Sequence, residues 1–167
     1  DVGSGKTIVA LISCLNVVNS GYQVAFMAPT EILAYQHYKL AQSLIKDKMK
    51  IGFLTSKTDY SERKKIINDL ETRKLNILFG THSVFQEKIS YKKLGLVVID
   101  EQHKFGVKQR KKLSDKGGKN CDVLVMSATP IPRTMIMTVF GDMDVTIIKQ
   151  KPKNRKPVKT YSKVDSK

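Results

Sequence analysis

The sequence has no tryptophan and only two cysteines, Cys14 and Cys121, which excludes a disulfide framework and a cysteine-built metal quartet. Negative charge is also scarce: 15 Asp and Glu face 30 Lys and Arg, for a net charge of +15 at pH 7. A chain so poor in carboxylates seeks a polyanion, with nucleic acid or an anionic membrane surface as the usual candidates. Long apolar runs are missing too. The longest, Ile8 to Leu15, falls far short of the roughly 20 residues that span a bilayer. No secretory signal opens the chain, so the expected setting is a reducing cytoplasm with no membrane association. What is present points to an ordinary folded domain. Across 167 residues, 41% are hydrophobic and 27% charged, a balance that argues against wholesale disorder. A chain of this size buries roughly 70% of its unfolded surface, enough for a real core. Residue 1 is Asp rather than Met, so a piece of a longer protein is expected.

Short apolar runs alternate with helical segments. Strands are expected near Val24–Pro29, Ile51–Thr55, Asn76–Gly80, Leu94–Asp100, Asp122–Ser127 and Val145–Lys149. The run from Leu94 to Ile99 is apolar throughout, as in a strand buried on both faces of a parallel sheet. Helices fit between them. Lys6–Asn19 carries no charge after Lys6 and should be nearly all buried. Glu31–Lys46 places Leu33, His37, Leu40 and Leu44 on one stripe. Asp59–Arg73 opens with a pair, Asp59 and Glu62, spaced like a capping box. Pro130–Phe140 starts with proline and stops at Gly141. Strand and helix in alternation argue for an α/β fold. From Lys149 onward, basic residues and two prolines crowd out apolar ones, so residues 151–167 read as a basic linker.

The opening run Asp1-Val2-Gly3-Ser4-Gly5-Lys6-Thr7 supplies the end of the phosphate-loop pattern G-x-x-x-x-G-K-[ST]. Its first glycine would lie one residue before Asp1. Gly3 and Gly5 let backbone amides curl around phosphate oxygens with no side chain in the way, and Ser4 lies between them. Lys6 is suited to the β- and γ-phosphates of ATP and the Thr7 hydroxyl to Mg²⁺. The helix that follows adds the positive end of its dipole.

Farther along, Val97-Val98-Ile99-Asp100-Glu101 sets two carboxylates at the carboxyl end of a buried strand, where open α/β sheets bind ligands. Asp100 is expected to hold Mg²⁺ together with Thr7. Glu101 is expected to accept the proton of an attacking water. Adjacent carboxylates beside an apolar strand are costly without a cation, which Mg²⁺ would supply. Ser127-Ala128-Thr129-Pro130 ends a second apolar strand with two small hydroxyls.

The ordered set Gly5-Lys6-Thr7, Ala28-Pro29-Thr30-Glu31, Gly80-Thr81-His82, Asp100-Glu101-Gln102-His103 and Ser127-Ala128-Thr129 resembles the first RecA-like motor domain of a superfamily 2 helicase. The run from Ile99 to Arg110 resembles the DEQH-box segment of the RecG family of bacterial branched-DNA helicases. So do Ala28–Ala34, Ser127–Thr134 and Phe140–Val145. Lys104 departs from that family's usual arginine, keeping the charge and losing the bidentate fork.

The resemblance implies a three-layer, parallel-sheet RecA-like NTPase domain over residues 1–150, truncated at its N-terminal edge strand. A second RecA-like domain would follow the 151–167 linker. It implies ATP in the cleft between the domains, with Gln102, His103, Ser127 and Thr129 relaying nucleotide state to DNA contacts. Thr30, Thr81 and His82 would touch sugar-phosphate of branched or duplex DNA, positioning the strand without reading bases. The implied activity is ATP-driven remodelling of stalled forks and recombination junctions. A fragment holding half the cleft would be weak or inactive alone.

Two other readings stay open. A transcription-repair coupling translocase has a similar motor, although Gln102 favours the RecG type. Taken alone, the chain also fits a non-catalytic basic module whose phosphate-dominated DNA binding weakens steeply with salt. Smaller features have plain readings. His37 is a satisfied core histidine, Cys14 a buried hydrophobe, and Tyr35 and Tyr38 pack at helical spacing. Lys108, Arg110, Lys111 and Lys112 are either phosphate contacts or a solvated face.

Overall fold

Aliphatic and aromatic runs pair into one five-stranded parallel sheet in the computed structural model, which describes residues 4–45, 49–100, 121–128 and 144–148. The elements follow as α1 (Lys6–Asn19), β1 (Gln23–Met27), α2 (Glu31–Ile45), β2 (Ile51–Leu54), α3 (Tyr60–Glu71) and β3 (Ile77–Gly80). A 3₁₀ turn (His82–Phe85), β4 (Leu94–Asp100) and β5 (Asp122–Met126) complete them. The strands lie in the order β2-β3-β1-β4-β5.

The sheet separates two apolar layers because strand side chains alternate between faces. Val24 and Phe26 of β1 join Ala10, Leu11 and Cys14 of α1 and Ala41 and Ile45 of α2 on one face. Ala25 and Met27 join Ile66 and Leu70 of α3 and Val84 of the 3₁₀ turn on the other. Every residue of β1, β3 and β4 is buried, as strands covered on both faces must be. The three-layer α/β architecture expected from the sequence is therefore present.

Several local expectations are corrected. Helix α1 is not nearly all buried: Ala10, Leu11 and Cys14 are, whereas Ile8, Val9 and Ile12 are 43%, 51% and 53% exposed. A helix lying on a sheet covers only one stripe of its circumference, whatever its composition. The buried stripe of α2 is Ala34, His37, Ala41 and Ile45, with Leu44 exposed. Two alanines on that stripe let the helix approach the strands closely, so the larger leucines fall to its flanks. Asp59 occupies the position before α3, yet its side chain makes no capping bond there. Residues 144–148 form no strand, and Val145 and Ile147 stand exposed; an apolar run becomes a strand only where a partner completes its backbone hydrogen bonds. The expected helix Pro130–Phe140, the basic cluster at residues 108–112 and the 151–167 linker lie outside the described residues.

Of the remaining side chains, Tyr38 packs with Phe53 and Phe79, while Tyr35 keeps half its surface exposed beneath Lys39. Burial pushes the Cys14 thiol up to about 12, which keeps it protonated as an inert core group.

One buried polar side chain fastens the sheet to its loops. The Gln23 amide nitrogen donates to the Leu70 and Leu75 carbonyls, each at 2.9 Å, and its oxygen accepts from the Lys93 amide at 3.0 Å. Gln23→Ala removes all three hydrogen bonds at a site only 2% exposed, although the Leu70 carbonyl keeps the Arg73 amide. The expected loss is about 3 kcal/mol in urea unfolding, with an unchanged m-value. A loss below about 0.5 kcal/mol would mean the amide merely fills space.

Candidate nucleotide and nucleic-acid site

The strand register brings distant sequence segments to one edge of the sheet. Met27 is level with Gly80 on one side and with Ile99 on the other, and Asp100 is level with Met126. The Ala28 amide donates to the Gly80 carbonyl at 3.0 Å. Thr30, Thr81, His82, Asp100 and Ser127 therefore all emerge at the carboxyl ends of parallel strands. Such an edge is the ligand-binding rim of open α/β sheets.

Helix α1 carries Gly5 and Lys6 to the same rim. It ends at Asn19, and a three-residue turn through Gly21 (φ +81°) feeds β1, so the helix runs antiparallel to the strand. Its 14 residues extend about 21 Å, enough to carry Lys6 back along the strand to its carboxyl end. Gly5 precedes α1 with φ +88°, a left-handed conformation that favours glycine. Its carbonyl accepts from the Ile8 and Val9 amides, and the positive end of the helix dipole faces the loop. The Lys6 ammonium donates to Ser4 Oγ at 3.3 Å.

Asp100 is the last residue of β4 and is 8% exposed. Its Oδ2 lies 2.7 Å from Nε2 of His37, two turns into α2. The imidazole is itself buried and stands against Phe26, with ring centroids 4.9 Å apart. The expected core histidine is thus satisfied, but by a buried carboxylate at the carboxyl rim. Sequence reasoning missed this partnership. The only signal available was that a polar ring on a sheet-facing stripe must find a buried partner.

Thr30 caps α2: its Oγ1 accepts from the Leu33 amide at 3.3 Å, and its carbonyl accepts from the Ala34 amide. Glu31 beside it accepts from Lys57 at 2.9 Å and from Ser56 at 3.2 Å. The Lys57 hydrogen bond holds the Glu31 carboxyl below its ordinary range. The start of α2 is therefore tied to the loop after β2. Thr30 and His82 are exposed, Thr81 and Ser127 partly so. Gly3, Glu101, Gln102, His103 and Thr129 lie outside the described residues.

The rim fits a magnesium–nucleotide complex by the chemistry of its donors. Among the described residues no three His, Cys, Asp or Glu side chains gather into a metal cage. Mg²⁺ at a phosphate site takes one or two protein oxygens and completes its shell with phosphate and water, so the Thr7 hydroxyl and the Asp100 carboxylate suffice. Among the described residues no helix is long and apolar enough to cross a membrane.

The DEAD/DEAH box helicase family matches residues 1–138. The chain is 51% identical over 162 residues to the ATP-dependent DNA helicase RecG of Aquifex aeolicus, a match covering 96% of this chain and 20% of that protein. It is 50% identical to the RecG of Bacillus subtilis, over 96% of this chain and 24% of the relative. Among solved structures it is similar to RecG bound to a three-way DNA junction, with a TM-score of 0.79 and 44% identity, covering 93% of this chain and 21% of that one. A likeness in fold alone extends to the Hef helicase domain of Pyrococcus furiosus, at 21% identity and a TM-score of 0.63. The chain thus spans about a fifth to a quarter of the length of the curated relatives it matches.

Proposed function

The chain belongs to the DEAD/DEAH box helicases, and on that premise we propose that residues 1–150 are the first RecA-like motor domain of a RecG-type, ATP-dependent branched-DNA helicase. Residues 151–167 lead to a second RecA-like domain that closes on ATP. The observation that carries this reading is the gathering of Lys6, Asp100, Ser127, Thr30, Thr81 and His82 at one sheet rim. Similarity to RecG proteins near 50% identity favours it over a transcription-repair coupling motor. A bacterial cytoplasm, with roles in DNA repair and recombination, follows from the same reading.

In this mechanism the backbone amides of Gly3, Ser4 and Gly5 cradle phosphate oxygens, and the Lys6 ammonium offsets their charge. The Thr7 hydroxyl and the Asp100 carboxylate would hold Mg²⁺, which would supply neutralising charge to the phosphates. Glu101 takes the proton from the attacking water. Gln102, His103, Ser127 and Thr129 bridge the nucleotide rim to the DNA-facing segments. Thr30, Thr81 and His82 meet sugar-phosphate, so domain closure around ATP moves the domain along DNA.

The test is ATP hydrolysis by the complete polypeptide that carries this domain, with and without a three-way DNA junction. The junction is expected to raise the rate at least about tenfold, a change of roughly 1.4 kcal/mol in the barrier. Hydrolysis that ignores DNA would remove the motor reading and leave a nucleotide hydrolase. No hydrolysis at all would leave the basic, non-catalytic DNA-binding module in its place.

A further inference from the structure

The structure joins two groups that the proposed mechanism treats unequally. Asp100 is the metal-holding carboxylate; His37 has no part in that scheme. Yet His37 is buried on the sheet-facing stripe of α2, and its Nε2 lies 2.7 Å from Asp100 Oδ2 across 63 residues of sequence. Phe26 of β1 stands against the imidazole ring, which limits how far it tilts away from the carboxylate.

We infer that His37 is a positioning residue for the magnesium–nucleotide site, fixing the Asp100 carboxylate from α2. This rests on the reading of Asp100 as a metal-holding group given above. A carboxylate at the end of a strand still has two side-chain torsions, and each unproductive rotamer weakens its hold on a cation. The hydrogen bond to Nε2 uses one oxygen and selects one rotamer, so the other oxygen is presented in a fixed direction. Outer-shell partners of this kind set metal affinity while never touching the metal. The helix bearing His37 also starts at Thr30, whose hydroxyl caps it seven residues earlier. At 1.5 Å per residue the two positions lie about 10 Å apart on one rigid body. The DNA-facing start of α2 and the clamp on Asp100 therefore move together.

The experiment measures binding of a non-hydrolysable fluorescent ATP analogue by the complete polypeptide as Mg²⁺ is titrated. It compares wild type, His37→Phe, His37→Gln, Asp100→Asn and the double variant His37→Phe/Asp100→Asn. His37→Phe keeps a flat ring and removes the donor. It is expected to raise the Mg²⁺ concentration for half-maximal binding about tenfold. His37→Gln restores an N–H donor and recovers most of that shift. In the Asp100→Asn background, His37→Phe has no further effect, because its action runs through the carboxylate. Wild-type Mg²⁺ dependence in His37→Phe overturns the inference and leaves His37 a packing residue. So does an equal shift in both backgrounds. A His37→Phe protein without a cooperative urea transition, repeated with His37→Leu, overturns it as well by making the ring a requirement of folding. If Asp100→Asn itself leaves the Mg²⁺ requirement unchanged, the assignment of Asp100 to the metal falls, a result distinct from failure of His37 alone.

Discussion

Lys6→Ala is expected to slow ATP hydrolysis by the complete polypeptide about 10³-fold, equivalent to roughly 4 kcal/mol of transition-state stabilisation. The size of the effect follows from where the ammonium stands. It sits at the first position of α1, directly after a left-handed glycine, at the rim where the strand ends converge. Charge develops on phosphate oxygens as the terminal bond breaks, and a fixed cation there is worth more in the transition state than in the ground state. The expected signature is a fall in kcat far larger than any change in KM. Folding should be nearly untouched, because Lys6 is only partly buried at the exposed start of α1. Steady-state hydrolysis with parallel urea unfolding checks both halves. A variant that keeps more than a tenth of the wild-type rate would show that the loop amides alone hold the phosphates.

The second large effect concerns the scaffold. In Gly80→Ala the new methyl group would fall inside the Leu54 carbonyl oxygen and 2.8 Å from Val84 Cγ1. Leu54 and Gly80 are paired in the β2–β3 ladder, so the obstacle is backbone that cannot swing aside. The strands must part at their carboxyl ends, and the loss is expected to be about 3 kcal/mol. Because Thr81 and His82 follow directly, the displacement reaches the residues assigned to DNA. Urea unfolding should show a lower midpoint, and junction affinity should fall with it. An unchanged midpoint would mean that β2 shifts at no cost and the rim is more compliant than its packing suggests.

Much of this arrangement was legible from residues alone, for a local reason. A phosphate loop needs its glycines, lysine and threonine consecutively, so Gly5-Lys6-Thr7 declares itself in one dimension. The continuous apolar run before Asp100 can only belong to a strand covered on both faces, and β4 is buried along its whole length. These two signals sufficed for a parallel α/β domain with a candidate nucleotide site at the carboxyl ends of its strands. The boundaries of α1 matched its composition as well, from Lys6 to Asn19.

Side-chain partnership was another matter. Composition alone made α1 look nearly all buried, whereas burial depends on which stripe meets the sheet, and Ile8, Val9 and Ile12 turn outward. Residues 145–148 carry strand-forming side chains without forming a strand, since backbone pairing is supplied by a neighbour and not by propensity. The spacing of Asp59 and Glu62 suggested a reciprocal cap, yet a cap needs the side chain to turn back on its own helix.

The sequence by itself determined that the chain would build a parallel sheet, and it named the candidate phosphate, acid and base groups at the ends of its strands. Those properties are encoded within a few consecutive residues. Only the tertiary structure decided that His37 would spend its hydrogen bond on Asp100, and that Thr30, Thr81 and Ser127 would share a rim with them. Strand order and register set those distances, and both are properties of the whole packed sheet rather than of any segment within it.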